Sequence, residues 1–63
     1  MMILVEPSAY KRLGTLEYNG WHIVAYRIPH GFSISAFRDN IQKDTMRRES
    51  LSDAWRALKP HLA

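Results

Sequence analysis

Between residues 15 and 47 the chain runs in short β-prone stretches broken by turn-forming pairs. The first break is Asn19-Gly20, between residues 15–18 (TLEY) and 21–28 (WHIVAYRI). A two-residue type I′ turn needs positive φ at both central positions, which Asn and Gly tolerate best, so these segments predict a hairpin. The second break, Pro29-His30-Gly31, offers Pro for the first central position of a type I turn and Gly for a left-handed residue after it. It predicts a three-residue bulged loop leading into a strand over 32–38 (FSISAFR). Asp39-Asn40 is a further two-residue turn signal, followed by a more polar strand over 41–47 (IQKDTMR).

The period then changes. Leu51, Ala54, Trp55, Leu58 and Leu62 recur at helical spacing and make one apolar stripe. Ser50 and Asp53 have the spacing of a capping box, with Asp in place of Glu or Gln. Arg56 and Lys59 lie towards the C-terminal end, where the helix dipole favours cations, and Pro60 predicts an end or kink near Leu58. The first residues are less decided. Residues 1–5 (MMILV) read as a short strand or a hydrophobic arm, and residues 9–14 as a helical turn closed by Gly14 or a loop. The expected organisation is one α+β domain over 1–63. An arm or short strand occupies 1–14, a three- to four-stranded antiparallel β-meander 15–48, and one C-terminal α-helix, packed on the sheet, 51–62.

Turn lengths decide which side chains share a face. The Asn-Gly turn pairs Tyr18 with Trp21 and Leu16 with Ile23, and directly paired residues lie on the same side. A three-residue second loop pairs Ile28 with Phe32, Tyr26 with Ile34 and Val24 with Ala36, on the opposite side. The helix stripe is therefore expected over Val24, Tyr26, Ile28, Phe32, Ile34 and Ala36. Leu16, Tyr18, Trp21, Ile23 and Phe37 are left as a second apolar face, to be covered by the arm over residues 1–5, by a partner or, as favoured, by a second copy in a homodimer interface. If the second turn has only two residues the register slips by one and strand faces exchange.

Composition narrows the function classes. A chain of 63 residues buries only roughly 60% of its unfolded surface, so self-association or a protein partner is a natural source of further burial. There is no cysteine, hence no disulfide and no thiolate chemistry. The longest apolar run is too short to span a membrane and lacks the flanks of a signal peptide, so a cytoplasmic protein is expected. His22, His30 and His61 show no metal-ligand spacing, no serine stands in a nucleophile elbow, and all three glycines have turn explanations. Neither an enzyme, nor a cofactor, nor a bound metal is expected. The net charge of +3, from nine Lys and Arg against six acids, permits an anionic partner. Arg38, Lys43, Arg47 and Arg48 cluster around the last hairpin as candidate nucleic-acid contacts. The plainer reading is a solvated edge strand, where basic residues discourage unwanted pairing.

Tyr18, Gly20, Trp21 and Ile23, followed by Ser50, Asp53 and Ala54 at the helix start, resemble a class of small uncharacterised bacterial and phage proteins with a β-meander and a helix. The layout is also similar to the arm-binding domains of tyrosine recombinases, and that resemblance implies a three-stranded sheet laid into DNA. The leading expectation is a non-catalytic interaction module that self-associates through the sheet face opposite the helix. The alternative is a small nucleic-acid-binding protein using a basic β-hairpin.

Overall fold

The computed structural model describes residues 10–62, so the expected arm over residues 1–5 lies outside the described residues. Four strands, β1 (Lys11–Tyr18), β2 (Trp21–Ile28), β3 (Gly31–Arg38) and β4 (Ile41–Arg48), form one antiparallel sheet in chain order. Helix α1 (Leu51–Leu58) follows and ends in a 3-10 turn, η1 (Lys59–His61). The α+β layout matches the expectation. The first strand starts at Lys11 rather than 15, because Gly14 does not stop the chain. It lies within β1, where the register shifts between Arg12 and Gly14 and leaves Leu13 as the extra residue of a β-bulge.

The first and last turns form as their chemistry predicts. Asn19 and Gly20 have φ of 51° and 80°, and Asp39 and Asn40 of 58° and 64°, so both turns are two-residue connections with left-handed central residues. Ser50 caps the helix, its Oγ accepting from the Asp53 amide at 3.1 Å, and Asp53 also accepts from Arg56 at 3.1 Å.

The middle turn overturns the expected register. Ile28 pairs with Gly31, so Pro29-His30 alone make the connection. His30 takes the left-handed position, with φ 66°, and Gly31 begins β3 with φ 157°. The glycine serves a different need. A Cβ on Gly31 would run into the carbonyl oxygen of Arg48, and its next neighbours would be the Arg48 carbonyl carbon at 3.2 Å and Glu49 Cα at 3.3 Å. Proline presets the turn, histidine tolerates the left-handed region better than most residues, and glycine is kept for the close approach of β4.

This one-residue slip exchanges the faces. Ile23 now pairs with Ala36 and Ala25 with Ile34, while Val24 pairs with Ser35 and Tyr26 with Ser33. The aliphatic core residues and Trp21 therefore gather on one side, while Val24, Tyr26 and Phe37 stand on the other. Trp21, Ile23, Ile34 and Ala36 make the core with Ala54, Leu58 and Leu62, and Tyr18, Ala25, Met46 and Trp55 pack around it. The helix covers this side, lying on β3 and β4. Val24 and Tyr26, expected beneath the helix, are on the other side. Tyr18 meets Trp55 edge to face, with ring centroids 5.1 Å apart. His61 Nδ1 lies 3.2 Å from the Asp44 carboxylate and ties the final turn to β4.

Trp21 carries an unusual cost. Its ring is only 9% exposed, and among the described residues its indole Nε1 has no hydrogen-bond partner. A buried donor left unpaired costs about 1–3 kcal/mol. Trp21→Phe removes that donor along with some ring volume, so its stability is expected within about 1 kcal/mol of wild type, whereas Trp21→Ala is expected to lose about 3–5 kcal/mol. Urea denaturation of the two variants checks this. Equal losses would show that the indole N–H is satisfied.

Candidate functional site

The register places each sequence-predicted site residue. Of the five expected interface residues, Trp21 and Ile23 are buried beneath α1, and Tyr18 packs on Trp55. Leu16, 49% exposed, lies on the same side at the β1 edge. Phe37 pairs with His22 and so faces the other way. Four of the five thus share the helix side, where Trp21 and Ile23 are buried, and Phe37 stands on the other, so the five do not form one exposed surface.

The four basic residues are also divided. The Arg38 guanidinium lies 3.8 Å above the Trp21 ring and donates to the Asn19 carbonyl at 3.1 Å, which fastens the first turn to the core side. Arg48 pairs with Phe32 on that same side. Lys43 is the extra residue where the β3–β4 register shifts, and it is exposed at the sheet edge. Only Arg47, opposite Ser33, projects from the face away from the helix.

That face has a composition of its own. Period-two alternation and the shortened turn bring Tyr26, Phe37, His22 and Val24 together with Ser33, Ser35, Thr45 and Arg47, and the β1 bulge adds Arg12 opposite Tyr26. Tyr10, just before β1, sets its ring 6.4 Å from that of Tyr26, tilted by 60°. The floor is small and polar. Ser33 and Ser35 are buried between larger neighbours, and the Ser35 and Thr45 hydroxyls are hydrogen-bonded at 2.9 Å. Two hollows flank Tyr26. One, of about 260 Å³, runs over Ser33, Ser35 and Thr45 to Arg47. The other, of about 480 Å³, lies between Arg12, His22, Val24 and Phe37.

Electrostatically this face is positive. Arg12 and Arg47 are exposed cations on it, Glu17 is hydrogen-bonded to the His22 ring, and Asp39 of the last turn lines the larger hollow beside Arg38. Asp44 points to the opposite side, towards His61. No group of three His, Cys, Asp or Glu side chains is gathered as metal ligands would be among the described residues. No described helix is long and apolar enough to cross a membrane.

On the helix side α1 lies on β3 and β4, and the β1 half of the sheet is uncovered among the described residues. An apolar groove of about 590 Å³ runs there between Leu13 and Leu16 of β1 and Leu51 and Trp55 of α1, with Ile23 and Ile34 at its base. Sequence reasoning missed Tyr10, Arg12 and Tyr26 because their meeting depends on the bulge and on the length of the second turn. Period two alone would have grouped His22, Val24 and Tyr26. Comparison of the chain with family models, curated proteins and solved structures returns no match.

Proposed function

We propose that the chain is a non-catalytic binding module that holds single-stranded nucleic acid on the sheet face away from the helix. The observation that carries this reading is the shared face of Tyr10, Tyr26 and Phe37 with Arg12 and Arg47, where the carboxylate of Glu17 is engaged by His22. Single strands are bound without strict sequence readout when bases stack on aromatic rings and cations follow the backbone. The two hollows that Tyr26 lines provide room for bases beside its ring, and the buried serines keep the floor low. The basic hairpin expected from sequence contributes Arg47 to this face, while Arg38 serves the fold.

The test is fluorescence anisotropy with a labelled single-stranded oligonucleotide and the duplex of the same sequence. Stacking needs exposed base faces, so the single strand is expected to bind more tightly. With Arg12 and Arg47 on phosphates, the log–log salt slope is expected to be about −1.4, from roughly −0.7 per contact. Tyr26→Ala is expected to cost about 1–3 kcal/mol, or roughly 5- to 150-fold in Kd. Arg47→Gln and Arg56→Gln remove the same formal charge, but Arg56 sits on the outer surface of α1 beside Asp53. Only the first is expected to weaken binding. Equal losses from both, or equal affinity for duplex and single strand, would remove the reading.

A further inference from the structure

We propose that two copies of this chain join along β1, antiparallel about a twofold axis at Thr15, and so form one continuous sheet of eight strands, four from each copy. The inference does not depend on nucleic-acid binding: His22 takes only Oε2 of Glu17, which leaves Oε1 for the second copy's Arg12, and that guanidinium has further N–H groups for a phosphate.

Among the described residues β1 is an edge strand. Seven of its eight residues are exposed, and Tyr18 is half-buried. The two-residue turn bonds Tyr18 to Trp21, and in an antiparallel ladder alternate residues bond to the same neighbour. Leu16 therefore also addresses β2, while Thr15 and Glu17 direct their N–H and C=O groups outward. Such a row is a template for another strand unless charge or shape spoils it.

In β1 the side chains favour a copy of themselves. Directly opposed residues must lie on the same face. With Thr15 opposite the second copy's Thr15, Leu16 falls opposite Gly14. The Leu13 bulge then advances the count by one, so Glu17 falls opposite Arg12 and Tyr18 opposite Lys11. Glu17 and Arg12 both lie on the face away from the helix, and the other two pairs lie on the helix face. Each match is chemically complementary and occurs twice. A carboxylate meets a guanidinium, a leucine covers a residue with no side chain, and a ring meets the stem of a lysine. Without the bulge, Glu17 would oppose Leu13. The bulge therefore sets the register of the charge pairs.

Gly14 supports the same arrangement. Among the described residues a Cβ there would meet nothing within 4 Å, and Gly14 is not among the glycines with positive φ, so nothing described in the single chain calls for glycine at this position. A partner's Leu16 would use the space. Leu13 and Leu16, 45% and 49% exposed, would gather with their symmetry mates on the helix side, and the two apolar grooves would run together across the junction. The opposite edge does not match itself in this way. β4 carries three cations, Lys43, Arg47 and Arg48, against one carboxylate, Asp44, so a second copy there would oppose like charges.

Sedimentation equilibrium of the full chain over the micromolar range is expected to give twice the 7.4 kDa chain mass. Arg12→Glu sets like charges opposite each other and is expected to yield monomer. The double variant Arg12→Glu with Glu17→Arg restores opposite charges and is expected to restore the dimer. Thr15→Pro removes an outward N–H, which edge strands tolerate, and is expected to yield a folded monomer by circular dichroism. Amide exchange of Thr15 and Glu17 should be slow in wild type and fast in that monomer. A wild-type monomer overturns the proposal, and if those amides are protected another segment of the chain occupies β1. A dimer unaffected by Arg12→Glu and Thr15→Pro overturns the register and places the contact elsewhere.

Discussion

Leu58→Ala is expected to destabilise the protein by about 2–5 kcal/mol, the range for truncating a buried leucine whose surroundings collapse only in part. Leu58 is fully buried at the C-terminal end of α1, in the cluster that holds Trp21, Ile23, Ile34 and Ala36. The loss is large because the whole is small. At about 0.05–0.15 kcal/mol per residue, a chain of this length has roughly 3–9 kcal/mol in all. Few other residues share the task of holding helix to sheet, since Ala54 and Leu62 are the other fully inserted members from this end of the chain. With a urea dependence of about 1 kcal/mol per molar, the midpoint should fall by about 2 M or more at unchanged slope. The comparison is made at fixed protein concentration, because any association adds to apparent stability. A midpoint unmoved by the substitution would mean that α1 does not hold the sheet through this side chain.

The fold was legible wherever local chemistry admits one solution. Asn19-Gly20 and Asp39-Asn40 both require left-handed backbone, and both residue pairs accept it. Ser50 and Pro60 mark the helix start and its end, and Ala54, Leu58 and Leu62 of the apolar stripe are buried, while Leu51 at its start is exposed. Glycine defeated the reading twice, because its type does not say which of its properties is in use. Gly14 reads as a terminator but stands in a bulge inside β1. Gly31 reads as a left-handed turn residue but is needed where β3 passes the end of β4.

The second of these errors decided the site. Face assignment inherits the parity of every turn before it, so one residue moved Val24 and Tyr26 away from the helix and brought Trp21 and Ile23 beneath it. The aromatic and basic face was present in the sequence as His22, Val24, Tyr26 on one strand and Ser33, Ser35, Phe37 on the next. Joining the two sets required the turn length, and adding Arg12 required the bulge. The corrected register also sorts the large side chains: the aliphatic core and Trp21 lie under the single helix, and Tyr26 and Phe37 stand among serines and arginines on the open face.

Gly31→Ala is expected to be among the most damaging single substitutions outside the core, and His30→Gly to be neutral or mildly stabilising. The two positions are adjacent, and the contrast tests the turn directly. At φ 66°, His30 holds a left-handed backbone that costs a side-chain-bearing residue about 1–2 kcal/mol, so glycine there relieves strain while adding freedom to the unfolded chain. At Gly31 the added methyl meets backbone, the Arg48 carbonyl, which cannot swing aside as a side chain would. Relief requires β3 and β4 to separate where they hand on to the helix, because Glu49 and the Ser50 cap follow at once. Overpacking of this kind costs typically about 1–3 kcal/mol and occasionally more, and Gly31→Val adds a branched side chain at the same point. Thermal melts at matched concentration should therefore fall in the order His30→Gly, Gly31→Ala, Gly31→Val. If His30→Gly proved the harmful substitution and Gly31→Ala the mild one, the chain would turn over three residues. Tyr26 would then face the helix, and the proposed binding surface would lose its central ring.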